Sequence, residues 1–140
     1  MARTLVTFRV AGILFGVDVA VVREVLQDQA MEPAPRAPEA VLGIVNLRGR
    51  ILGVTDVRAR MALPPAASGS WTSIVVEGSE GQDVLRVDTV GDVVSVPDGA
   101  ELAIPDTTPP AIVRCVQGAY EVEGHLLLVV DLSDLLYTDQ

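Results

Sequence analysis

The sequence has 140 residues, 49% of them hydrophobic and 4% aromatic, with a formal net charge of −9. This length predicts one compact domain, with a core built mainly of Val, Leu, Ile and Ala. Residues 1–65 carry eight arginines against six acidic residues, whereas residues 66–140 carry two against thirteen. The acidic balance argues against nucleic acid as a partner, because phosphate binding requires a basic surface. It fits a protein that meets partners through two electrically different faces, or an acidic half that serves solubility.

Cysteine content and hydropathy predict the compartment. The single cysteine, Cys115, lies in an apolar stretch, so no disulfide can form within the chain, which suits a reducing compartment. No run of about 18 apolar residues predicts a transmembrane helix, and the N-terminal residues lack the apolar core of a signal peptide. We therefore expect a cytoplasmic protein without direct membrane insertion.

The first half of the chain predicts short strands, because apolar and polar residues alternate and Gly or Pro separates the runs. In chain order we predict a strand at 6–10, a turn at 11–12, a strand at 13–19, a helical turn passing into a strand that ends before Met31, an extended connection at 33–38 and a brief helical turn at 39–42.

Residues 43–61, GIVNLRGRILGVTDVRARM, form the most informative stretch. Two apolar runs flank Arg48-Gly49, which predicts a hairpin with a tight turn. Asp56 then stands where a helix N-cap belongs, ahead of residues 57–61. Asn46 and Arg48 are not needed for packing in either strand, so we interpret them as recognition residues.

The second half predicts further strands and a terminal helix. In chain order we predict a linker at 64–70, a strand at 71–77, a turn at 78–81, a strand at 82–87, a strand at 93–96, an acidic loop at 97–110, a turn within 112–117, a hairpin at 118–130 and an amphipathic helix at 132–137. Many short strands at this spacing are typical of small barrels or sandwiches.

The stretch 43–61 recurs 75 positions later. The matched positions are Gly43 with Gly118, Gly49 with Gly124, Val54 with Val129, Asp56 with Asp131 and Met61 with Leu136. Where the first copy has Asn46-Leu47-Arg48, the second has Glu121-Val122-Glu123. The glycine, apolar and capping positions are repeated, and the polar residues of the turn are not. This difference favours a functional interpretation of Asn46 and Arg48.

Residue types for catalysis are scarce. His125 is the only histidine, and it is expected on the surface. One His and one Cys cannot form the usual zinc site, and no Ser-His-Asp set or phosphate-binding loop is evident. Paired Asp56 and Asp131 could suggest an aspartic protease, but the D-[ST]-G signature is missing, and a helix N-cap explains each better. We expect no enzyme activity and no cofactor or metal.

With these motifs in place, the chain resembles the CheW-like domain family, the coupling proteins of bacterial chemotaxis, from about Leu5 to Leu136. The most specific part is GIVNLRG at 43–49 followed by Asp56-Val57-Arg58. The resemblance implies an all-β fold of two SH3-like five-stranded β-barrel subdomains sharing a hydrophobic core, within one domain at 1–140. We expect subdomain one at about 10–65 plus terminal segments, and subdomain two at about 70–135.

The resemblance further implies a non-catalytic adaptor between the cytoplasmic tip of a methyl-accepting chemoreceptor and the regulatory domain of a CheA-type histidine kinase. We expect it to be recruited to membrane-associated receptor arrays. The positions implied to bind the receptor are Asn46, Leu47, Arg48, Gly49, Val22 and Glu24. Those implied for kinase binding or coupling are Val25, Gly43, Val87 and Val90, although core packing is an equally good interpretation of Val22 and Val25.

Three residues depart from the family pattern. Arg86 stands at a usually apolar position, Val84 where Gly is frequent, and Gly53 where a Pro or larger residue is common. They leave two alternatives: an adaptor that binds receptor but not kinase, or an interaction module of a non-taxis pathway such as surface motility.

Overall fold

In the computed structural model, residues 2–27, 41–66 and 71–137 are described, and they form ten strands with three short α-helices. The strands are β1 (Ala2–Val10), β2 (Ile13–Asp18), β3 (Val22–Gln27), β4 (Val41–Leu47), β5 (Arg50–Asp56), β6 (Thr72–Gly78), β7 (Gly81–Val87), β8 (Thr89–Pro97), β9 (Val116–Val122) and β10 (His125–Val130). The helices are α1 (Val57–Arg60), α2 (Pro110–Val113) and α3 (Leu132–Tyr137), and Val19–Val21 form a 3₁₀ turn.

The strands form two five-stranded sheets. Sheet A has the order β8-β1-β2-β10-β9, and sheet B has the order β3-β6-β7-β5-β4. Each sheet contains two antiparallel hairpins joined by one parallel pair, β2 with β10 in sheet A and β7 with β5 in sheet B. Among the described residues no ladder joins the two edge strands of either sheet, so the sheets are SH3-like but not closed barrels.

The two sheets repeat one arrangement, with each strand matching the one five places further along the chain. The 75-residue repeat is visible in the pairing: Gly43 faces Val54 in sheet B, and Gly118 faces Val129 in sheet A. Both hairpins lead directly into a helix, α1 or α3. The predicted internal repeat is confirmed.

The predicted limits of the subdomains, about 10–65 and 70–135, do not coincide with the sheets. Sheet B runs from β3 to β7 and takes strands from both sides of the predicted linker, and sheet A combines β1 and β2 with β8 to β10. The reason is two crossovers, β2 to β3 and β7 to β8, which carry the chain from one sheet to the other. Such long-range pairing is not readable from local alternation.

Three apolar clusters hold this arrangement together. The largest lies between the sheets and includes Phe8 and Phe15, whose rings stack with centroids 5.6 Å apart. A second cluster, around Leu5 and Leu127, fills the inner side of sheet A, and a third, around Val54, fills that of sheet B. The expected shared core between two SH3-like units is confirmed.

Local predictions agree with the structure in most places. The turn at 48–49, the helix at 132–137 and the helical turn ahead of β3 are confirmed. The helical turn at 39–42 is wrong for residues 41 and 42, which belong to β4, whereas 39 and 40 lie outside the described residues. The connection at 33–38 and residues 67–70 of the linker also lie outside them. The strand predicted at 93–96 is longer, Thr89–Pro97, because it pairs along the whole of β1.

Candidate partner-binding site

The turn between β4 and β5 is rigidly shaped. Arg48 has φ 53° and Gly49 has φ 83°, which is the left-handed pair of a two-residue hairpin turn. The Gly49 amide donates to Asn46 Oδ1 at 3.0 Å. The Asn46 side chain therefore holds the turn, and the backbone fixes the direction in which Arg48 leaves it.

Arg48 bridges the two edge strands of sheet B. Its Nη1 donates to Glu24 Oε1 at 2.6 Å, and its Nη2 donates to Glu24 Oε2 at 2.5 Å. Glu24 belongs to β3, at the opposite edge from β4. The hydrogen bonds from Arg48 lower the pKa of Glu24, and Glu24 raises the pKa of Arg48. A bidentate pair of this kind fixes both side chains, although the Arg48 side chain is 69% exposed and the attraction is screened by solvent.

Further arginines surround this pair. Arg23 Nε donates to Glu77 Oε1 at 3.0 Å, and Arg50 Nη1 donates to Gln82 Oε1 at 2.7 Å. Together they border a groove at the hairpin end of sheet B, hereafter the sheet B mouth, lined by Arg23, Glu24, Leu47, Arg48, Arg50, Leu52, Val75 and Gln82. Three arginines, one paired with Glu24 and one with Glu77, leave this mouth with a single excess positive charge above an apolar floor.

The structure brings part of the predicted receptor set together. Asn46, Arg48, Gly49 and Glu24 lie in or beside one turn, and Leu47 packs against the inner cluster of sheet B next to it. Val22, the first residue of β3 and two residues before Glu24, packs half-buried against the shared core.

The predicted kinase-binding or coupling residues are dispersed. Val25 is 42% exposed on β3, the one member of the set with a large apolar surface available. Gly43 is buried in β4. Val87 is buried in the shared core, and Val90 packs against it. Gly43 and Val87 can influence a partner only through packing, whereas Val90 is half-buried.

The departures from the family pattern have local explanations. Val84 is buried in the inner cluster of sheet B. Arg86 is half-buried, with its guanidinium carbon 3.3 Å from the centroid of the Trp71 ring, a cation–π contact. A Cβ at Gly53 would meet Asp83 Oδ1 at 3.5 Å, an ordinary contact, so space does not demand glycine there.

Two features of this site were not predicted from the sequence. Arg23 and Arg50 line the mouth but were not among the predicted binding residues, although the alternation of β3 places Arg23 on its exposed face. The pairing of Glu24 with Arg48 was also missed, because it joins strands that are not neighbours in the sheet.

Two predicted carboxylates outside the sheet B mouth have structural roles. Asp56 Oδ1 accepts from the Arg58 amide at 3.0 Å and Asp131 Oδ1 from that of Asp134 at 3.1 Å, which confirms both as helix caps. His125 is exposed, as expected. Within 2–27, 41–66 and 71–137, no three His, Cys, Asp or Glu side chains converge where they could hold a metal ion. No helix in these ranges is long and apolar enough to cross a membrane.

A repeated SH3-like scaffold that carries a rigid, charged, solvent-facing groove defines a protein-interaction module. Comparison with known proteins identifies the family to which this module belongs. A family model described as the CheW-like domain matches residues 4–140, so the chain belongs to the CheW-like family.

The relatives agree with this assignment. The chain is 31% identical to "Chemotaxis protein CheW" of Rhizobium meliloti over 139 residues, covering 99% of this chain and 90% of that protein. It is 32% identical to "Protein FrzA" of Myxococcus xanthus over 128 residues, covering 90% of this chain and 72% of that protein. The crystal structure of scaffolding protein TtCheW from Thermoanaerobacter tengcongensis superposes with a TM-score of 0.87 at 27% identity, covering 99% and 95% of the two chains.

Proposed function

We propose that this protein is a non-catalytic adaptor that couples methyl-accepting chemoreceptors to a CheA-type histidine kinase in bacterial chemotaxis. The observation that carries the proposal is membership of the CheW-like family over residues 4–140, in a chain whose one rigid cationic turn stands at the family's most specific motif. In this role the protein works in the cytoplasm, recruited to membrane-associated receptor arrays.

The receptor face is the sheet B mouth. Arg48, held by Glu24 and by the turn that Asn46 closes, offers a planar donor fork whose direction is set before a partner arrives. Preorganisation of this kind reduces the entropy lost on binding. Gly49 allows the turn, and Leu47 supports it from inside the sheet.

We assign kinase binding or coupling to the remaining predicted positions. Val25 is the apolar contact residue, since its side chain is exposed. Gly43, Val87 and Val90 act on coupling through packing, because Gly43 and Val87 are buried and Val90 rests on the shared core.

The test is a quantitative pull-down with two baits, a receptor signalling tip and the kinase regulatory domain. We expect the parent to bind both, and Arg48→Ala to bind the receptor tip roughly tenfold or more weakly while retaining the kinase, as for a central anchor. Glu24→Gln should weaken the same interaction, because Arg48 then loses its charged partner.

Arg50→Ala is the matched control. It removes an exposed arginine two residues away that bonds to Gln82, without touching the Arg48–Glu24 pair. If Arg50→Ala and Arg48→Ala lose equal affinity, the mouth acts only by net charge and the proposed role of the pair is wrong. A parent that binds neither bait contradicts the adaptor function.

A second candidate is an adaptor of a pathway other than chemotaxis, or one that binds receptor alone. Its support is Arg86 and Val84 at unusual positions, together with the 32% identity to "Protein FrzA", a name that does not mention chemotaxis. The same pull-down separates the candidates: binding to the receptor tip without binding to the kinase domain favours this one.

A further inference from the structure

Sheet A has a pocket at its hairpin end, hereafter the sheet A mouth, between the edge strand β8 and the β9–β10 turn. Its volume is about 200 Å³, several times the roughly 30 Å³ that a water molecule occupies in the liquid. The side chains that decide its chemistry are Leu14, Val94, Val122, Asp92, Glu123 and His125. The pocket thus has an apolar floor and two carboxylates, and Arg9 is the basic residue of its lining.

This pocket stands where the arginine-lined mouth stands in sheet B. Val93 faces Val6 in sheet A, as Val25 faces Ile74 in sheet B, and both valines are exposed. The residue before each valine is acidic, Asp92 in β8 and Glu24 in β3. The 75-residue repeat matches the turn positions Glu123 and Arg48, and both have positive φ, 51° and 53°.

The two mouths carry opposite charges at the corresponding turn position. In sheet B, the Arg48 guanidinium crosses the opening to Glu24. In sheet A the acid is kept, but Glu123 replaces the arginine. Within the described part of the chain, neither the Asp92 nor the Glu123 carboxylate takes part in a hydrogen bond or an ion pair. Arg9, which also lines the pocket, directs its Nη1 to the Gly12 carbonyl at 3.2 Å.

We propose that the sheet A mouth binds an arginine side chain presented by a partner protein on an exposed turn. The guanidinium lies between Asp92 and Glu123, and its aliphatic stem covers Leu14, Val94 and Val122. A planar fork suits two carboxylates, and the long apolar stem suits the floor. The incoming side chain takes the place that Arg48 takes in sheet B.

The proposed occupant is a different protein, and the sheet B mouth of a second copy suits the pocket poorly. The arginines of the sheet B mouth are already bonded within the chain, Arg23 to Glu77, Arg48 to Glu24 and Arg50 to Gln82. A second copy would have to break such a pair before inserting one of them. The site is separate from the proposed receptor face, so the two proposals can fail independently.

The test uses a cyclised hairpin peptide with the sequence of residues 44–53 as probe, since it presents an arginine on a turn without the glutamate that holds it here. Residues 44–53 contain Arg48 and Arg50, so the matched control is the same peptide with citrulline at the position of Arg48 alone, which removes the turn charge and keeps both the shape and Arg50. Binding to the full chain is followed by amide chemical-shift changes at neutral pH. We expect saturable shifts at Gly91, Asp92, Glu123 and His125 with the arginine peptide, and at least roughly tenfold weaker binding of the citrulline peptide.

Two variants complete the test. Asp92→Asn combined with Glu123→Gln keeps the pocket open but neutral, and should weaken the arginine peptide at least roughly tenfold. Glu123→Arg supplies the missing arginine from within the chain, should pair with Asp92, and should abolish binding while the protein stays folded by thermal unfolding. Equal affinity for the two peptides, or unchanged affinity in both variants, overturns the proposal.

Sedimentation velocity of the full chain decides the source of the arginine. A monomer at concentrations where the peptide binds supports a different protein as the occupant. Self-association that Glu123→Arg abolishes would assign the pocket to a second copy and overturn the assignment to a partner of another kind.

Discussion

Sheets A and B share their strand order, and the β4–β5 and β9–β10 hairpins share register and turn geometry. Their side chains nevertheless differ at two corresponding places. At the mouths, Glu24 and Arg48 form a bidentate pair in sheet B, where sheet A has two carboxylates. On the side facing the shared core, Phe8 stacks on Phe15 in sheet A, whereas Val76 faces Asp83 in sheet B. The arrangement of strands is repeated, whereas the side chains have diverged both at the mouths and on the side facing the shared core.

The largest loss of stability should come from a substitution in the aromatic pair Phe8 and Phe15. Phe8 is fully buried, so Phe8→Ala should lower the free energy of unfolding by about 3–5 kcal/mol. Val76→Ala at the corresponding position of sheet B should lower it less, because fewer buried carbon atoms are removed. Urea unfolding followed by circular dichroism measures both.

Both substitutions should leave one cooperative transition, since the two sheets share one apolar cluster. Two separate unfolding transitions in Phe8→Ala, with one sheet still folded after the first, would show that the sheets unfold independently. That result would contradict the shared core as a single cooperative unit.

An intermediate effect is expected at the paired turn glycines. Gly49 and Gly124 have φ of 83° and 81°, and a Cβ would meet nothing within 4 Å at either. Gly49→Ala and Gly124→Ala should each cost about 1–2 kcal/mol through backbone strain alone, and the two losses should be equal. Thermal unfolding measures them.

Gly118→Ala is the control for the glycine pair, because Gly118 also has open space around it but no positive φ. It should change stability far less than either turn variant. A loss at Gly118 as large as that at Gly124 would show that strain is not the cause.

The smallest effect concerns Asp83, which faces Val76 where sheet A has Phe15 facing Phe8. Burial raises the pKa of Asp83, and Glu80 adds to the effect. A carboxyl whose pKa is raised on folding contributes to stability below its unfolded value of about 3.9 and loses that contribution as pH rises through the folded pKa. Asp83→Asn should therefore be more stable than the parent at neutral pH, by less than the preceding losses, with the gain vanishing in acid.

Asp88→Asn should change stability at neutral pH in the opposite direction to Asp83→Asn. Hydrogen bonds from Arg58 lower the pKa of Asp88, so its contribution is present above the unfolded pKa and is lost as pH falls. This variant should be less stable than the parent at neutral pH and equal to it in acid. Urea midpoints at both pH values test the pair, and the same sign for both would contradict the assignment.

Local features could be predicted because each depends on a few adjacent residues. The turn at Arg48-Gly49 follows from glycine's tolerance of positive φ, and the caps at Asp56 and Asp131 follow from a carboxylate before a short helix. The repeat was visible because the same requirements recur at a fixed spacing.

Features that join distant strands could not be predicted from the residues. The division of strands between the sheets depends on which edges pair, and alternation is equally good for either choice. The pairing of Glu24 with Arg48 and the open pocket beside Asp92 both arise across the gap between edge strands. In neither case does a local sequence motif indicate which residue lies across the gap.

The interleaved strand order sets the sequence of events during synthesis. All five strands of sheet B lie between Val22 and Val87, so they can assemble once that part of the chain has left the ribosome. β1 and β2, made first, must wait for β8 to β10, made last, before sheet A can form, and Leu14 meets Leu127 only at that stage. During translation, the earliest strands are therefore the last to acquire all of their neighbours, and they expose unpaired edges for the longest time.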